Sequence, residues 1–161
     1  MNNQFYRFLS SLEDISFRKP TDEELQKLKE ISSGKLPELF MEVYTTAMPE
    51  EDAEFEDFVF YGIERMYEEN TDYIPGANIL PFGLFTFAST FIGDAVCMDL
   101  NDPQFSVYLC SHELLCDEEE ICCYEEKMEH LPFTYENVLK VSHKLADSFA
   151  EFVKLLAAGE L

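Results

Sequence analysis

The chain has 161 residues, 47% of them hydrophobic and 14% aromatic, and its 33 acidic against 11 basic side chains give a net charge of −22. This composition favours a folded globular protein and excludes a disordered chain. A surface of this charge repels nucleic acid and anionic lipid, so the expected partner is neither a nucleic acid nor a membrane but a cationic protein.

Three helices are predicted in the N-terminal part. Apolar residues at helical spacing in NQFYRFLSSL indicate the first. The second, PTDEELQKLKEISSG, combines a capping box of Thr21 and Glu24 with Gly34 at its C-terminal end. The third, KLPELFMEVYTTAM, has Pro37 in its first turn and one apolar face.

β-Structure is predicted in the middle of the chain. Residues 55–61 are typical of a strand, the following IERMYEENTDY of a short helix or turn, and the apolar ANILPFGLFTFAS favours β-structure. Large apolar side chains occupy every second position over 95–100 and again over 105–110, on either side of the Asn101-Asp102-Pro103 turn. This pattern predicts a β-hairpin.

The C-terminal part is predicted to be one long amphipathic helix. Thr134 can cap it, and apolar residues from Val138 to Leu156 line one face. The predicted order along the chain is helices first, then an antiparallel sheet, then a helix. This order indicates an α+β fold rather than alternating β–α–β units. We expect a mostly antiparallel central sheet flanked by helices, with N-terminal helices and a long C-terminal helix.

The length fits a single domain over residues 1–161. The N-terminal MNNQFYRFLSSLEDI lacks the basic and apolar regions of a signal peptide, and no apolar run is long enough to cross a membrane. The odd cysteine count, five, agrees with reduced thiols. We therefore predict a cytoplasmic protein.

The negative charge is concentrated in two segments. Residues 51–75 contain nine acidic side chains and one basic one, and residues 111–130 contain eight and one. These 45 residues hold 15 of the 22 net negative charges. General solubility is one interpretation, but solubility does not require clustering, so the pattern favours an acidic face for a cationic partner.

Four cysteines and two histidines lie in the second segment or immediately before it: Cys110, His112, Cys116, Cys122, Cys123 and His130. Zinc sites favour cysteine pairs two to four residues apart, and these spacings do not provide one. The surrounding carboxylates and the lack of C-x-x-C argue against a redox site, and DEEE lacks the order of a calcium loop. We expect packed or surface thiols, no metal and no cofactor.

Catalytic motifs are not apparent. The chain has no nucleophile elbow, P-loop or dinucleotide fingerprint, and Ser111 and His112 are sequence neighbours, which does not place a base against a nucleophile. Gly93-Asp94 fits a tight turn better than a nucleotide loop. The residues therefore predict a binding protein rather than an enzyme.

Four segments in order resemble the SUKH superfamily, the bacterial relatives of the yeast Smi/Knr cell-wall-synthesis regulator. They are KLPELFMEVYTTA, NILPFGLFTFASTFIGDAVCMDL, FSVYLCSHE and LADSFAEFVKLL, and the resemblance covers residues 20–157. The matching positions are Leu36-Pro37, Gly93-Asp94, Val107 to Glu113, and Ala146, Ser148, Phe149 and Phe152. The resemblance implies an α+β domain with a mixed, mostly antiparallel sheet flanked by helices.

The resemblance also implies a role as an immunity protein that binds and neutralises a secreted polymorphic toxin, often a nuclease. A nuclease holds phosphates in a basic cleft, and a carboxylate-rich face can occupy that cleft. The alternative is a regulatory or scaffold module like the eukaryotic relatives. A metal-dependent hydrolase built from the Cys/His/Asp/Glu cluster is a third class, which the ligand spacing disfavours.

Eleven carboxylates are the candidate partner-binding residues, and a solvated side chain is the competing interpretation for each of them. They are Glu50, Glu51, Asp52, Glu54, Glu56, Asp57, Asp94, Asp117, Glu118, Glu119 and Glu120.

Overall fold

Helices and strands are seen throughout the residues that the computed structural model describes, 1–122 and 130–161. The α-helices are α1 (Gln4–Ser10), α2 (Asp22–Ser32), α3 (Glu38–Thr46), α4 (Ile63–Thr71), α5 (Gly76–Ile79), α6 (Tyr135–Val141) and α7 (Phe149–Ala158). The strands are β1 (Phe17–Arg18), β2 (Met48–Pro49), β3 (Ala53–Phe55), β4 (Phe58–Phe60), β5 (Leu84–Thr90), β6 (Ala95–Asp99), β7 (Val107–Cys110), β8 (Glu120–Cys122), β9 (His130–Pro132) and β10 (His143–Ala146).

The central sheet has six strands in the order β10-β7-β6-β5-β4-β3, and every neighbouring pair is antiparallel. Two-stranded ribbons, β1-β2 and β8-β9, flank it. The predicted hairpin is confirmed as β6 and β7, with Ala95 opposite Cys110 and Met98 opposite Val107. The α+β fold with a mostly antiparallel sheet is confirmed.

The first face of the sheet carries a large aromatic core. Because strand side chains alternate, Val96 and Met98 of β6 point to this face. Phe40 of α3 stacks on Tyr44 with ring centroids 4.3 Å apart. Helices α1 and α7 contribute the fully buried rings of Phe5, Phe149 and Phe152. Strands β4 and β5 contribute those of Phe60, Phe85 and Phe87.

The second face of the sheet is covered by a smaller core. Ala95 and Cys97 of β6 point to this face and pack in that core. The elements α5, β8 and α6 cover it with Ile79, Ile121 and Val138, and Leu115 from the segment between β7 and β8 packs with them. Towards the other edge of the sheet, Val59 of β4 and Ser89 of β5 are paired and line an open cleft. The second face is therefore closed over β6 and open beside β4.

Helix α2 begins as its sequence predicts. The Thr21 side chain accepts a hydrogen bond from Glu24 N, and the Glu24 carboxylate accepts one from Thr21 N at 2.8 Å. Arg18 also donates to Glu24, with Nη1 2.9 Å from Oε2. The hydrogen bonds from Arg18 and from Thr21, against the opposing effect of burial, lower the pKa of Glu24 to about 2.

The predicted long C-terminal helix is wrong, because the structure divides it into α6, β10 and α7. Thr134 caps the start, with Asn137 N 3.2 Å from its hydroxyl oxygen, but α6 ends at Val141. Without β10 the outer edge of β7 would leave backbone groups unpaired, and β10 pairs with this edge, with His143 opposite Leu109. Ser148 then caps α7 by accepting from Glu151 N.

The predicted strand over 55–61 is also corrected. Residues 53–60 form a hairpin instead, with Ala53 opposite Phe60 and Phe55 opposite Phe58. Glu56 takes a positive φ of 51°, so that Glu56 and Asp57 form the turn. This hairpin places β3 at the edge of the sheet.

Gly76 lies against the backbone of α4. A Cβ atom at this position would stand 2.0 Å from the carbonyl oxygen of Glu69 and 3.0 Å from Thr86 Oγ1. The segment between α4 and β5 can therefore approach α4 this closely only because residue 76 has no side chain.

We predict that Glu24→Gln makes unfolding less dependent on pH between about pH 5 and pH 2. A carboxyl whose pKa is lowered in the folded state stabilises the protein above its unfolded value of 4.5, and this stabilisation is lost as the pH falls. We expect a loss of roughly 2 kcal/mol at pH 7, since the exposure of Arg18 weakens the pair, and a smaller difference at pH 3.

Urea unfolding at both pH values measures this difference. Glu23→Gln is the matched control, because Glu23 is 79% exposed and meets Lys27 only at 3.6 Å. Equal pH profiles for the two variants would contradict the assigned role of Glu24.

We predict that Gly76→Ala lowers the free energy of unfolding by about 2 kcal/mol or more, because the added methyl group collides with the carbonyl of Glu69. Gly159→Ala is the control. Gly159 has a φ of +64° but no atom within 4 Å of the added Cβ, so only left-handed strain of about 1 kcal/mol is expected. Thermal or urea unfolding compares the two, and equal losses would refute the collision.

Candidate functional site

The acidic residues immediately before β3 and within it do not all point the same way. Glu50 belongs to the β1–β2 ribbon, since its N donates to Ser16 O at 2.9 Å and its carboxylate accepts from Ser16 Oγ at 3.1 Å. Glu51 is exposed, and Asp52 lines the open cleft on the second face. Glu54 alternates with core residues of β3 and therefore points to the second face as well.

The turn between β3 and β4 lies beside the turn between β5 and β6. The carbonyl of Asp57 accepts a hydrogen bond from Phe91 N at 3.1 Å. Thr90 Oγ1 accepts from Asp94 N at 3.2 Å, and Gly93 closes that second turn with a φ of +98°. Both turns therefore present their residues at the same end of the sheet.

Asp94 is held by β7 and the residues after it. Its Oδ1 lies 2.7 Å from His112 Nδ1 and accepts a hydrogen bond from His112 N at 3.0 Å. The Asp94 side chain is only 15% exposed. The structure thus uses this carboxylate to fix the β5–β6 turn to the end of β7.

The acidic turn over 117–120 is a separate feature. Asp117 Oδ1 accepts hydrogen bonds from Glu119 N at 2.8 Å and Glu120 N at 3.4 Å, and these bonds lower the pKa of Asp117. Asn78 of α5 donates to the carbonyls of Leu115 and Asp117. The turn is therefore fixed to α5 at the closed part of the second face.

The structure brings only some of the predicted carboxylates together. Asp52, Glu54, Asp57 and Asp94 lie around the open cleft or its adjoining turns, whereas Glu50 is turned towards β1. The 117–120 turn is bonded to Asn78 of α5 over the closed part of the second face, whereas residues 52–57 belong to the β3–β4 hairpin beside the open cleft. The two acidic segments therefore offer separate contact points.

The open cleft has a volume of about 380 Å³ and one built-in ion pair. Arg65 Nη2 lies 2.7 Å from Glu69 Oε1, and the guanidinium lies over the Tyr73 and Tyr61 rings at 5.0 and 5.8 Å. Burial raises the pKa of Glu69, and Arg65 opposes this rise. Partial burial also raises the pKa of Asp52, with a further rise from Glu54 and Glu68.

Large apolar side chains surround this cleft. Tyr73 and Ile74 are 47% and 48% exposed, and Phe91 and Ile92 are 56% and 73% exposed. Sequence reasoning missed these four residues. The detectable signal was FIGD, where two large apolar residues precede Gly93 in a turn that normally takes polar residues.

The described thiols and imidazoles in and beside the second acidic segment do not form one cluster, although the Cys116 and Cys122 thiols are neighbours. Cys110 is buried in the small core with its Sγ 3.4 Å from Ser142 Oγ, whereas Cys116 is exposed. His130 lies 3.2 Å from Glu120 at the β8–β9 ribbon. Cys123 lies outside the described residues. Among the residues described, no three His, Cys, Asp or Glu side chains are placed to hold a metal ion.

The fold and the sequence motifs agree with one comparison. A family model described as SMI1 / KNR4 family (SUKH-1) matches residues 19–155. The chain belongs to this family. Neither the curated proteins nor the solved structures contain a match.

The segments that resemble the SUKH superfamily surround the same sheet. Pro37 precedes α3, and Gly93-Asp94 forms the turn before β6. The last segment contains Ser148, the N-cap of α7.

In the described part of this SUKH-1 chain, the helices are too short or too polar to cross a membrane.

We predict that Asp94→Ala lowers the free energy of unfolding by about 1–2 kcal/mol, because it leaves His112 N and Nδ1 without their acceptor. Glu118→Ala is the control, since Glu118 is exposed and should have almost no effect on stability. Urea unfolding measures both, and equal stabilities would remove the structural role assigned to Asp94.

Proposed function

We propose that this SUKH-1 protein is an immunity protein that binds a secreted polymorphic toxin and neutralises it without catalysis. The observation that carries the proposal is the family match over residues 19–155 on a chain with a net charge of −22. In this proposal the partner is a basic toxin domain, such as a nuclease, and the complex forms in the cytoplasm.

The charge provides a physical route to neutralisation. A nuclease must bind phosphates, so its active cleft is lined with Lys and Arg. Carboxylates placed over that cleft block access to the substrate. The long-range field of an acidic protein also speeds the encounter, and salt screens this field over about 8 Å at physiological ionic strength.

The proposed contact residues remain the eleven carboxylates predicted from the sequence. The geometry supports a division of roles among them. Asp52, Glu54 and Asp57 lie near the open cleft, and Asp117 to Glu120 provide a second acidic turn. Glu50 and Asp94 are engaged within the protein, so their contribution is to the local field rather than to direct contacts.

A second candidate function is a regulatory or scaffold module that binds a cellular protein. The family description, which names SMI1 and KNR4, favours this alternative. An apolar scaffold contact would depend weakly on salt, whereas a charge-steered inhibitor depends on it strongly. Salt dependence and toxin rescue therefore separate the two functions.

We predict that this protein rescues a bacterial host from the toxic product of the reading frame immediately upstream of its gene. The purified pair should bind tightly, and association should slow about tenfold between 0.05 and 0.5 M salt, because screening removes electrostatic steering. Growth assays and stopped-flow association measure these effects.

The charge-matched control compares two triple variants. Asp52→Asn, Glu54→Gln and Asp57→Asn together should slow association more than Glu30→Gln, Glu136→Gln and Glu160→Gln together, although each set removes three charges. A neighbouring product that is toxic but is neither bound nor neutralised would contradict the immunity function.

A further inference from the structure

We propose that Tyr73, Ile74, Phe91 and Ile92 form the apolar centre of the toxin-binding surface, and we call these four residues the apolar patch. The inference rests on the proposed immunity function and deepens it by naming the surface and the chemistry of its partner. The occupant is a basic protein domain that presents an apolar side chain flanked by Lys or Arg.

The exposure of the apolar patch distinguishes it from the rest of the described surface. The described residues include five large exposed hydrophobic side chains, and four of them form this patch. Tyr73, Ile74 and Phe91 line the same cleft, and Ile92 adjoins Phe91. Contiguous exposed apolar residues with a polar rim are typical of protein interaction sites.

Phe91 and Ile92 lie in a hydrogen-bonded turn. Gly93 N donates to Thr90 O at 3.0 Å, and Thr90 N donates to Asp94 O at 2.9 Å. Phe91 N is tied to the neighbouring turn through Asp57. These bonds hold the backbone while leaving both side chains largely in solvent, so the two residues add little to the stability of the fold.

Tyr73 is also held before any partner arrives. Its N donates to Glu68 O at 3.1 Å at the end of α4, and its ring lies beneath the Arg65 guanidinium. Arg65 is in turn bonded to Glu69. A preorganised aromatic side chain loses little conformational entropy on binding, which is why such residues are common at the energetic centres of interfaces.

The rim of the apolar patch selects the partner by charge. Asp52 lines the cleft, and Glu54 and Glu68 lie close enough to raise its pKa. Asp57 and Asp94 belong to the two adjoining turns, and Asp72 precedes Tyr73 in sequence. Against them, Arg65 is the cation that lines the described cleft, and Glu69 already neutralises it. A second copy of this chain or an anionic membrane would be repelled, whereas a basic protein is attracted.

The test measures binding of the purified upstream toxin domain to the full-length protein. Phe91→Ser and Ile92→Ser should each weaken binding about tenfold or more, and the double variant about a hundredfold. Phe91→Leu should retain most of the affinity, because it keeps an apolar side chain. All variants should keep the unfolding midpoint of the wild type, since these side chains are exposed.

Charge reversals locate the surface. Asp72→Lys, beside the apolar patch, should weaken binding more than Glu118→Lys, and Glu160→Lys at the end of α7 should have little effect, although each changes the charge by two units. A larger effect of Glu118→Lys would overturn the inference and place the contact at the 117–120 turn.

The outcomes separate the two levels of the proposal. A wild-type affinity that persists in the Phe91→Ser, Ile92→Ser double variant would refute the apolar patch and leave the immunity function intact. Failure of the wild-type protein to bind and neutralise the toxin would overturn both. Neutralisation by the wild type that is lost in the double variant and kept in Phe91→Leu supports both.

Discussion

The pairing of β5 with β4 and β6 is the constraint on which the rest of the structure depends. It places Phe85 and Phe87 in the large core, and the turn after β5 at the edge of the open cleft. Beyond the end of β4, the side chain of Asn70 in α4 pairs with β5 instead of a strand. Its amide oxygen accepts from Thr86 N at 2.9 Å, and its amide nitrogen donates to Thr86 O at 2.7 Å. This exchange keeps the buried backbone of β5 hydrogen-bonded while the chain leaves the sheet to form the cleft wall.

The molecule combines a large aromatic core with a repulsive surface. Like charges at close range oppose the compact state, so a net charge of −22 reduces stability unless burial offsets it. The rings around Phe40 and Phe149 supply that burial on the first face of the sheet. The second face is only partly covered, which leaves room for an acidic surface with apolar side chains at its centre.

Local signals in the sequence predicted much of the fold, and failed where distant strands decided the outcome. The capping box of α2 and the β6–β7 hairpin depend on neighbouring residues and were found. The helical spacing from Val138 to Leu156 was misleading, because it continues through β10, whose residues pack beside those of α7. Pairing with the edge of β7 outweighed this helical pattern and formed β10. Ser148 and Glu151, which mark the start of α7, lie inside the single helix that the pattern predicts.

The sequence by itself determined the charge, its concentration in two segments and the family to which the chain belongs, because these depend on which residues are present and in what order. Only the tertiary structure decided which carboxylates face a cleft and which, like Asp94, support a turn. It also brought Tyr73 and Ile74 beside Phe91, a contact that joins distant segments, although the FIGD turn already carried a local signal for Phe91 and Ile92. Whether such a side chain is buried depends on how distant segments pack around it, and local composition does not encode that packing.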